Sequence, residues 1–101
     1  MLNSVATQER MRSPVASNLL KKRSHLQLIA EILENAKIGS TKTPIMCKVG
    51  MSYHQFNEYL GFLSIRGLIE RNEGVYQITQ KGVTFLKEYK TLLLLLLIDD
   101  L

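Results

Sequence analysis

From Ser24 onward, apolar residues recur first at helical spacing, then in two short strand-like runs, then at helical spacing again. Leu26, Ile29, Ile32, Leu33 and Ala36 step by three and four, which predicts a helix from about Ser24 to Lys37, stopped at Gly39. A short helix follows from Pro44 to Val49, with Thr43 as its cap, Pro44 at the first helical position and Ile45, Met46 and Val49 turned inward. Gly50-Met51 is a tight link to the most complete helical signal in the chain, Ser52 to Arg66. Ser52 and Gln55 have the spacing of a capping box, Phe56, Tyr59, Leu60 and Leu63 form an apolar stripe, and Gly67 stands where a helix ends. Leu68–Arg71 and Val75–Ile78 bracket Asn72-Glu73-Gly74, the pattern of a β-hairpin. Thr79 then caps a last helix beginning at Gln80. Gly82, Phe85, Tyr89, Leu92 and Leu96 keep a heptad rhythm there, widened by Leu86, Leu93 and Leu97, and the run Leu92–Ile98 is apolar all round.

This order of elements predicts a mainly α chain with one small β-hairpin, an α+β fold. A short helix, a tight link and a second helix make a helix-turn-helix, whose second helix is shaped to enter a DNA major groove. A hairpin directly after it is a wing. The expected architecture is a winged helix-turn-helix with a long C-terminal dimerisation helix. Residues 1–20 read as a flexible, solvated arm, 21–79 as the winged domain and 80–101 as the dimerisation element. Ser40-Thr41-Lys42 reads as a short extended segment.

The length of 101 residues suits one domain with a modest core, and 46% apolar residues favour a folded chain over a disordered one. The net charge of +4 is compatible with nucleic acid without requiring it. Its distribution is more informative: Arg10 to Lys48 holds eight basic and two acidic residues, whereas Val49 to Leu101 holds five and six. Phosphate contacts are therefore expected from Lys21, Lys22, Arg23, Lys42 and Lys48, joined by Ser52, Arg66 and Arg71. The cluster Lys21-Lys22-Arg23 stands at a helix N-terminus, where cations oppose the helix dipole, which favours a binding role over a structural one. Arg71 shares the wing tip with Glu70 and Glu73, so weak DNA contact is expected there. Base readout is assigned to His54, Asn57, Gln55 and Tyr53, since Asn and Gln can pair with adenine edges. Ser52 is mainly a cap, and Glu58 either accepts from a cytosine amine or faces away.

The leucine-rich end cannot stand exposed in water, and its own small domain cannot cover it. A second copy is the economical solution, giving a homodimer through Phe85, Tyr89, Leu92, Leu93 and Leu96. Seven apolar residues are far short of the roughly 20 needed to span a bilayer. The tip ends in Asp99-Asp100 and lacks the cationic face of a helix lying on a membrane. The first 20 residues lack the apolar core of a signal peptide, and the single cysteine, Cys47, reads as a buried or half-buried packing residue. The expected protein is soluble and cytoplasmic. His25 and His54 are isolated, and neither a phosphate loop nor a Cys/His metal spacing is present. Neither enzymatic activity nor a metal, cofactor or small-molecule ligand is expected.

Four stretches together resemble small archaeal winged-helix regulators, of the type found in Sulfolobus and its viruses. They are Lys22-Arg23-Ser24 with the helix through Leu33, Thr41-Lys42-Thr43 with Ile45-Met46, Leu60 through Gly67-Leu68-Ile69, and Thr79-Gln80-Lys81-Gly82 with Phe85-Leu86. The resemblance runs from about Lys21 to Lys90. It implies a winged helix, a dimer through the last helix, and duplex DNA as partner, with the groove-reading role on Ser52–Arg66. For a viral protein it implies the host-cell cytoplasm, and for a cellular one association with the nucleoid. The function expected is a homodimeric transcriptional regulator that binds double-stranded DNA sequence-specifically. The alternatives are a non-specific architectural protein, or a winged helix used for protein contacts in a transcription or viral assembly.

Overall fold

The computed structural model describes residues 23–98. The expectations for the arm 1–20, for Lys21 and Lys22, and for Asp99-Asp100 lie outside the described residues. Within them, three helices are followed by a two-stranded antiparallel hairpin and a fourth, longer helix.

Helix α1 spans His25–Asn35, and the Ser24 Oγ caps it by accepting the Gln27 N–H at 3.1 Å. It buries Leu28, Ile29, Ala30, Ile32 and Leu33, with Ala36 just beyond. The expected stripe began at Leu26, but that side chain is 53% exposed. Leu26 lies in the first turn of α1, ahead of Leu28, the first residue of the helix to be buried.

Helix α2 spans Lys42–Val49 and starts two residues before the expected Pro44. Its N-cap is Thr41 rather than Thr43, which places Pro44 third in the helix. That placement is harmless, because each of the first four helical N–H groups lacks an intrahelical acceptor anyway. Gly50 closes the helix in the left-handed region (φ +78°), its N–H donating to Met46 O at 2.9 Å.

Helix α3 spans Tyr53–Ile65, one residue inside the expected limits at each end. Ser52 Oγ accepts the Gln55 N–H at 3.2 Å. At the far end Leu68 N–H donates to Leu63 O at 2.9 Å and Gly67 N–H to Ser64 O at 3.1 Å. This paired closure needs a left-handed residue, which Gly67 supplies at φ +76°. Phe56, Leu60 and Leu63 are buried as expected, and Tyr59 is half-buried.

Strands β1 (Ile69–Asn72) and β2 (Val75–Ile78) pair from Ile69↔Ile78 to Asn72↔Val75. The two-residue loop Glu73-Gly74 has positive φ at both positions, 52° and 83°, the hairpin turn whose twist matches that of the strands. Of the expected extended segment 40–42, Ser40 pairs with Tyr76 through two backbone hydrogen bonds, 3.0 and 2.7 Å, while Lys42 is already helical. The wing is thus tied to the α1–α2 connection.

Helix α4 spans Gln80–Leu97. Thr79 Oγ1 accepts the Gly82 N–H at 3.1 Å and donates to Gly67 O at 2.6 Å, joining the start of α4 to the end of α3. Gly82 is buried, and a Cβ there would lie 2.4 Å from Leu68 O and 2.6 Å from Ile78 Cγ1. Leu86 is buried on the domain, and Phe85 and Tyr89 are half-buried against it. From Leu92 onward every residue of α4 is exposed. The core gathers Ile32 and Leu33, Ile45 and Val49, Phe56 and Leu63, and Ile69 from α1, α2, α3 and β1.

Candidate nucleic-acid interface

Three buried residues, Phe56, Leu60 and Leu63, anchor α3 on the core and fix which way its other side points. His54, Glu58, Gly61 and Ile65, spaced by four, three and four, share one line along the opposite side, and all are exposed. At about 100° per residue, Tyr53, Asn57 and Ser64 border this line on one flank and Gln55, Phe62 and Arg66 on the other.

On the first flank, Lys42 reaches over from α2. Its Nζ donates to Asn57 Oδ1 at 2.8 Å and lies 5.1 Å from the centre of the Tyr53 ring, a cation–π contact. The hydrogen bond from Asn57, and then the nearby Lys42 charge, hold the Tyr53 hydroxyl below its ordinary 10.0. Two of the expected base readers and one expected phosphate contact therefore form a single unit.

On the other flank, the Arg66 guanidinium lies 5.4 Å from the Phe62 ring centre. The Arg66 carbonyl accepts Lys81 Nζ at 2.6 Å. Two cations thus gather at the C-terminus of α3, where the helix dipole favours them. Lys81 was not singled out from the sequence. Its position just after a helix cap carries no signal that it folds back onto α3.

His54 Nε2 and Glu58 Oε2 are 3.5 Å apart on the outward line, an attraction that needs His54 protonated. Glu58 therefore stands on the outward face. The Gln55 side chain is exposed next to them.

Arg23 sits elsewhere. Its guanidinium donates to Val49 O at 2.8 Å and pairs with Glu31, tying the start of α1 to the end of α2. Lys48 is exposed on α2, and Arg71 is exposed on β1 between Glu70 and Glu73. Cys47 is exposed, not packed inside as expected, because Ile45 and Val49 take the inward positions of so short a helix.

Of the expected dimer contacts, Phe85 and Tyr89 pack partly on their own domain, whereas Leu92, Leu93 and Leu96 face outward. Lys90 reaches Glu34 at 3.2 Å, holding α4 against α1, and Lys37 reaches the same carboxylate at 3.1 Å from just beyond α1. The Lys37 hydrogen bond, with Lys90 adding to it against some desolvation, keeps the Glu34 carboxyl below its ordinary 4.5. A shallow hollow of about 300 Å³ lies between α1 and α3, lined by His25, Ile29, Glu58, Tyr59 and Phe62. His25 and Tyr59 are hydrogen-bonded across it.

A family model described as winged helix-turn-helix matches residues 22–96. The chain belongs to the winged helix-turn-helix family. Membership points to DNA as the partner of this winged helix. Two uncharacterized proteins of Methanocaldococcus jannaschii are similar to it. MJ0287 is 36% identical over 62 residues, 60% of this chain and 64% of its own length. MJ0290 is 34% identical over 68 residues, 66% of this chain and 32% of its own length. The winged-helix chain thus spans somewhat under two thirds of the first relative and about a third of the second. Among the described residues, no helix is long and apolar enough to cross a membrane.

Proposed function

We propose that this winged helix is a homodimeric transcriptional regulator that binds double-stranded DNA sequence-specifically, with α3 in the major groove. The observation that carries the reading is the placing of α3. One side is locked into the core, and the other is bare of cations yet flanked by Lys42 on one border and Arg66 on the other. A major groove has the same profile, with base edges between two phosphate walls about 12 Å apart, close to the diameter of a helix.

In this reading His54, Asn57, Gln55 and Tyr53 approach base edges. Lys42, Lys48, Arg66 and the Ser52 end of α3 meet phosphate, with Lys21 and Lys22 adding charge from the preceding segment. Arg23 and Arg71 contribute less, the first engaged with Glu31 and Val49, the second flanked by acids. The leucine end of α4 joins two copies, with residues 21–79 as the reading unit and 80–101 as the dimerising unit. Two α3 helices on one face would read half-sites about 34 Å apart, or a multiple of that. The archaeal relatives support placing the protein among archaeal regulators, in the cytoplasm of a cell or of a virus-infected host.

A second reading, a winged helix used for protein contacts, is favoured by Glu58, Phe62 and Ile65 on the outward face. Fluorescence anisotropy separates the two. Labelled DNA from upstream of the protein's own gene is compared with a random duplex across a salt series. Tighter binding to the upstream DNA that persists as salt rises is the expected result. Equal, steeply salt-dependent binding to both would indicate an architectural protein. Absence of binding to either at low salt would support the protein-contact reading.

A further inference from the structure

The outward line of α3, with the Phe62 flank beside it, holds chemistry unusual for a groove-reading helix. Ile65 is 85% exposed and Phe62 46% exposed, and both lie within one turn of Gly61. Nothing inside the protein accounts for Gly61. It is in mid-helix, where glycine weakens the helix relative to alanine, and a Cβ built on it meets no atom within 4 Å. Its φ is not among the positive values found at Gly39, Gly50, Gly67 and Gly74. Gly82, by contrast, is explained by the backbone that crowds it. A glycine that is open, exposed and conformationally ordinary lowers the surface of α3 where a partner would lie against it.

We propose that Gly61, Phe62 and Ile65 form an apolar strip that reads thymine 5-methyl groups in the major groove. This rests on duplex DNA being the partner. The cations flanking α3 on both borders complement two phosphate strands, which leaves Gly61 and Ile65 between them facing base edges, with Phe62 beside them on the border it shares with Arg66. Thymine alone places a methyl group on that edge, and apolar side chains recognise it by contact. Glu58, one turn from Phe62, fits the same base pair. A carboxylate only accepts, and the adenine opposite thymine offers its N6 amine in the same groove. At the groove centre Glu58 is also as far from phosphate as α3 allows. Gly61 lets the helix settle close enough for Phe62 and Ile65 to touch the methyls.

The test replaces thymine by uracil, which removes the methyl and leaves charge and pairing groups unchanged. Anisotropy is measured on an alternating dA-dT duplex and on the same duplex with dU for dT, at one salt concentration. The full-length protein should bind the dT duplex more tightly, by about fourfold for each methyl covered, the effect of burying one such group. Phe62→Ala and Ile65→Ala should remove most of that ratio, while Lys42→Ala should weaken binding to both duplexes alike. Gly61→Ala should raise the melting temperature yet lower affinity for the dT duplex, a pairing that a purely structural glycine would not show. Equal binding to dT and dU duplexes would overturn the strip as a methyl reader and leave DNA binding standing. Gly61→Ala with unchanged affinity would overturn the close approach. Failure to bind either duplex at low salt would overturn both this inference and the proposed function, and would point to a protein as the occupant of this face.

Discussion

Helix α3 and the end of α4 both expose apolar side chains, and the two differ in how they are held. On α3 the apolar residues are few, mixed with His54, Glu58 and Gln55, and fixed on a helix capped at Ser52 and closed at Gly67. Phe56, Leu60 and Leu63 leave that helix no freedom to roll. On the end of α4 the exposed residues are of one kind from Leu92 to Ile98, ranging from 39% exposed at Leu93 to 78% at Leu96. They begin just after Tyr89, which packs on the core, and Lys90, which pairs with Glu34. Varied groups on a fixed frame can distinguish one partner from another, because position carries information. A uniform leucine surface carries little. Its driving force is the apolar area removed from water, and a second copy supplies a matching area.

The largest effect should come from the uniform surface. Leu93→Glu should raise the dimer dissociation constant about a hundredfold or more, since symmetry removes two leucines at about 1.5 kcal/mol each. Light scattering would show monomers, and a mutant that stays dimeric would move the interface elsewhere. Next is the anchor of the reading surface. Phe56→Ala should cost about 3–5 kcal/mol of stability, whereas exposed Ile65→Ala should cost within about 0.5 kcal/mol. Denaturant titration would show whether the two sides of α3 separate so sharply. Gly82→Ala should cost about 1–3 kcal/mol, because the Leu68 carbonyl and Ile78 must give way. Thermal melts would read this, and an unchanged melting temperature would mean that α4 does not dock so tightly.

Smaller effects sharpen the contrast. Lys42→Ala should weaken binding to every duplex and lower the salt slope by about 1, as expected for one lost phosphate contact. It should also move the Tyr53 hydroxyl titration up toward 10.0, read from tyrosinate absorbance, since its charge helps hold that hydroxyl down. The smallest effect concerns Glu34, whose folded-state carboxyl titrates below 4.5. Its stabilisation is complete above 4.5 and is lost as pH falls through the lower folded value. Lys90→Ala should therefore cost about 0.5 kcal/mol or less at neutral pH, and the difference from the parent should vanish in acid.

How legible each part was depends on the range of the interactions involved. Caps at Ser52 and Thr79, the closing Gly67 and the hairpin turn are local, and the residues alone located them. Helix α1 was read one step off at Leu26, because periodicity gives a stripe's spacing more firmly than its edges. Helix α2 began early because a proline at the third helical position is as permissible as one at the first. The candidate site was legible as a segment but not as a surface. Lys42 meeting Asn57, Lys81 meeting the Arg66 carbonyl and Arg23 turning to Glu31 and Val49 join residues that no local pattern connects. Exposed Phe62 and Ile65 were visible as apolar letters, yet only the burial of Phe56, Leu60 and Leu63 shows that they face outward.

The most direct test of a dimer that reads DNA with two α3 helices is the mass of the protein alone and on DNA, measured by light scattering with a duplex long enough for two half-sites. The expected result is a free protein of twice the chain mass and two chains on each duplex, held by α4 and reading with α3. A monomer in free solution, or a single chain on each duplex, would contradict it.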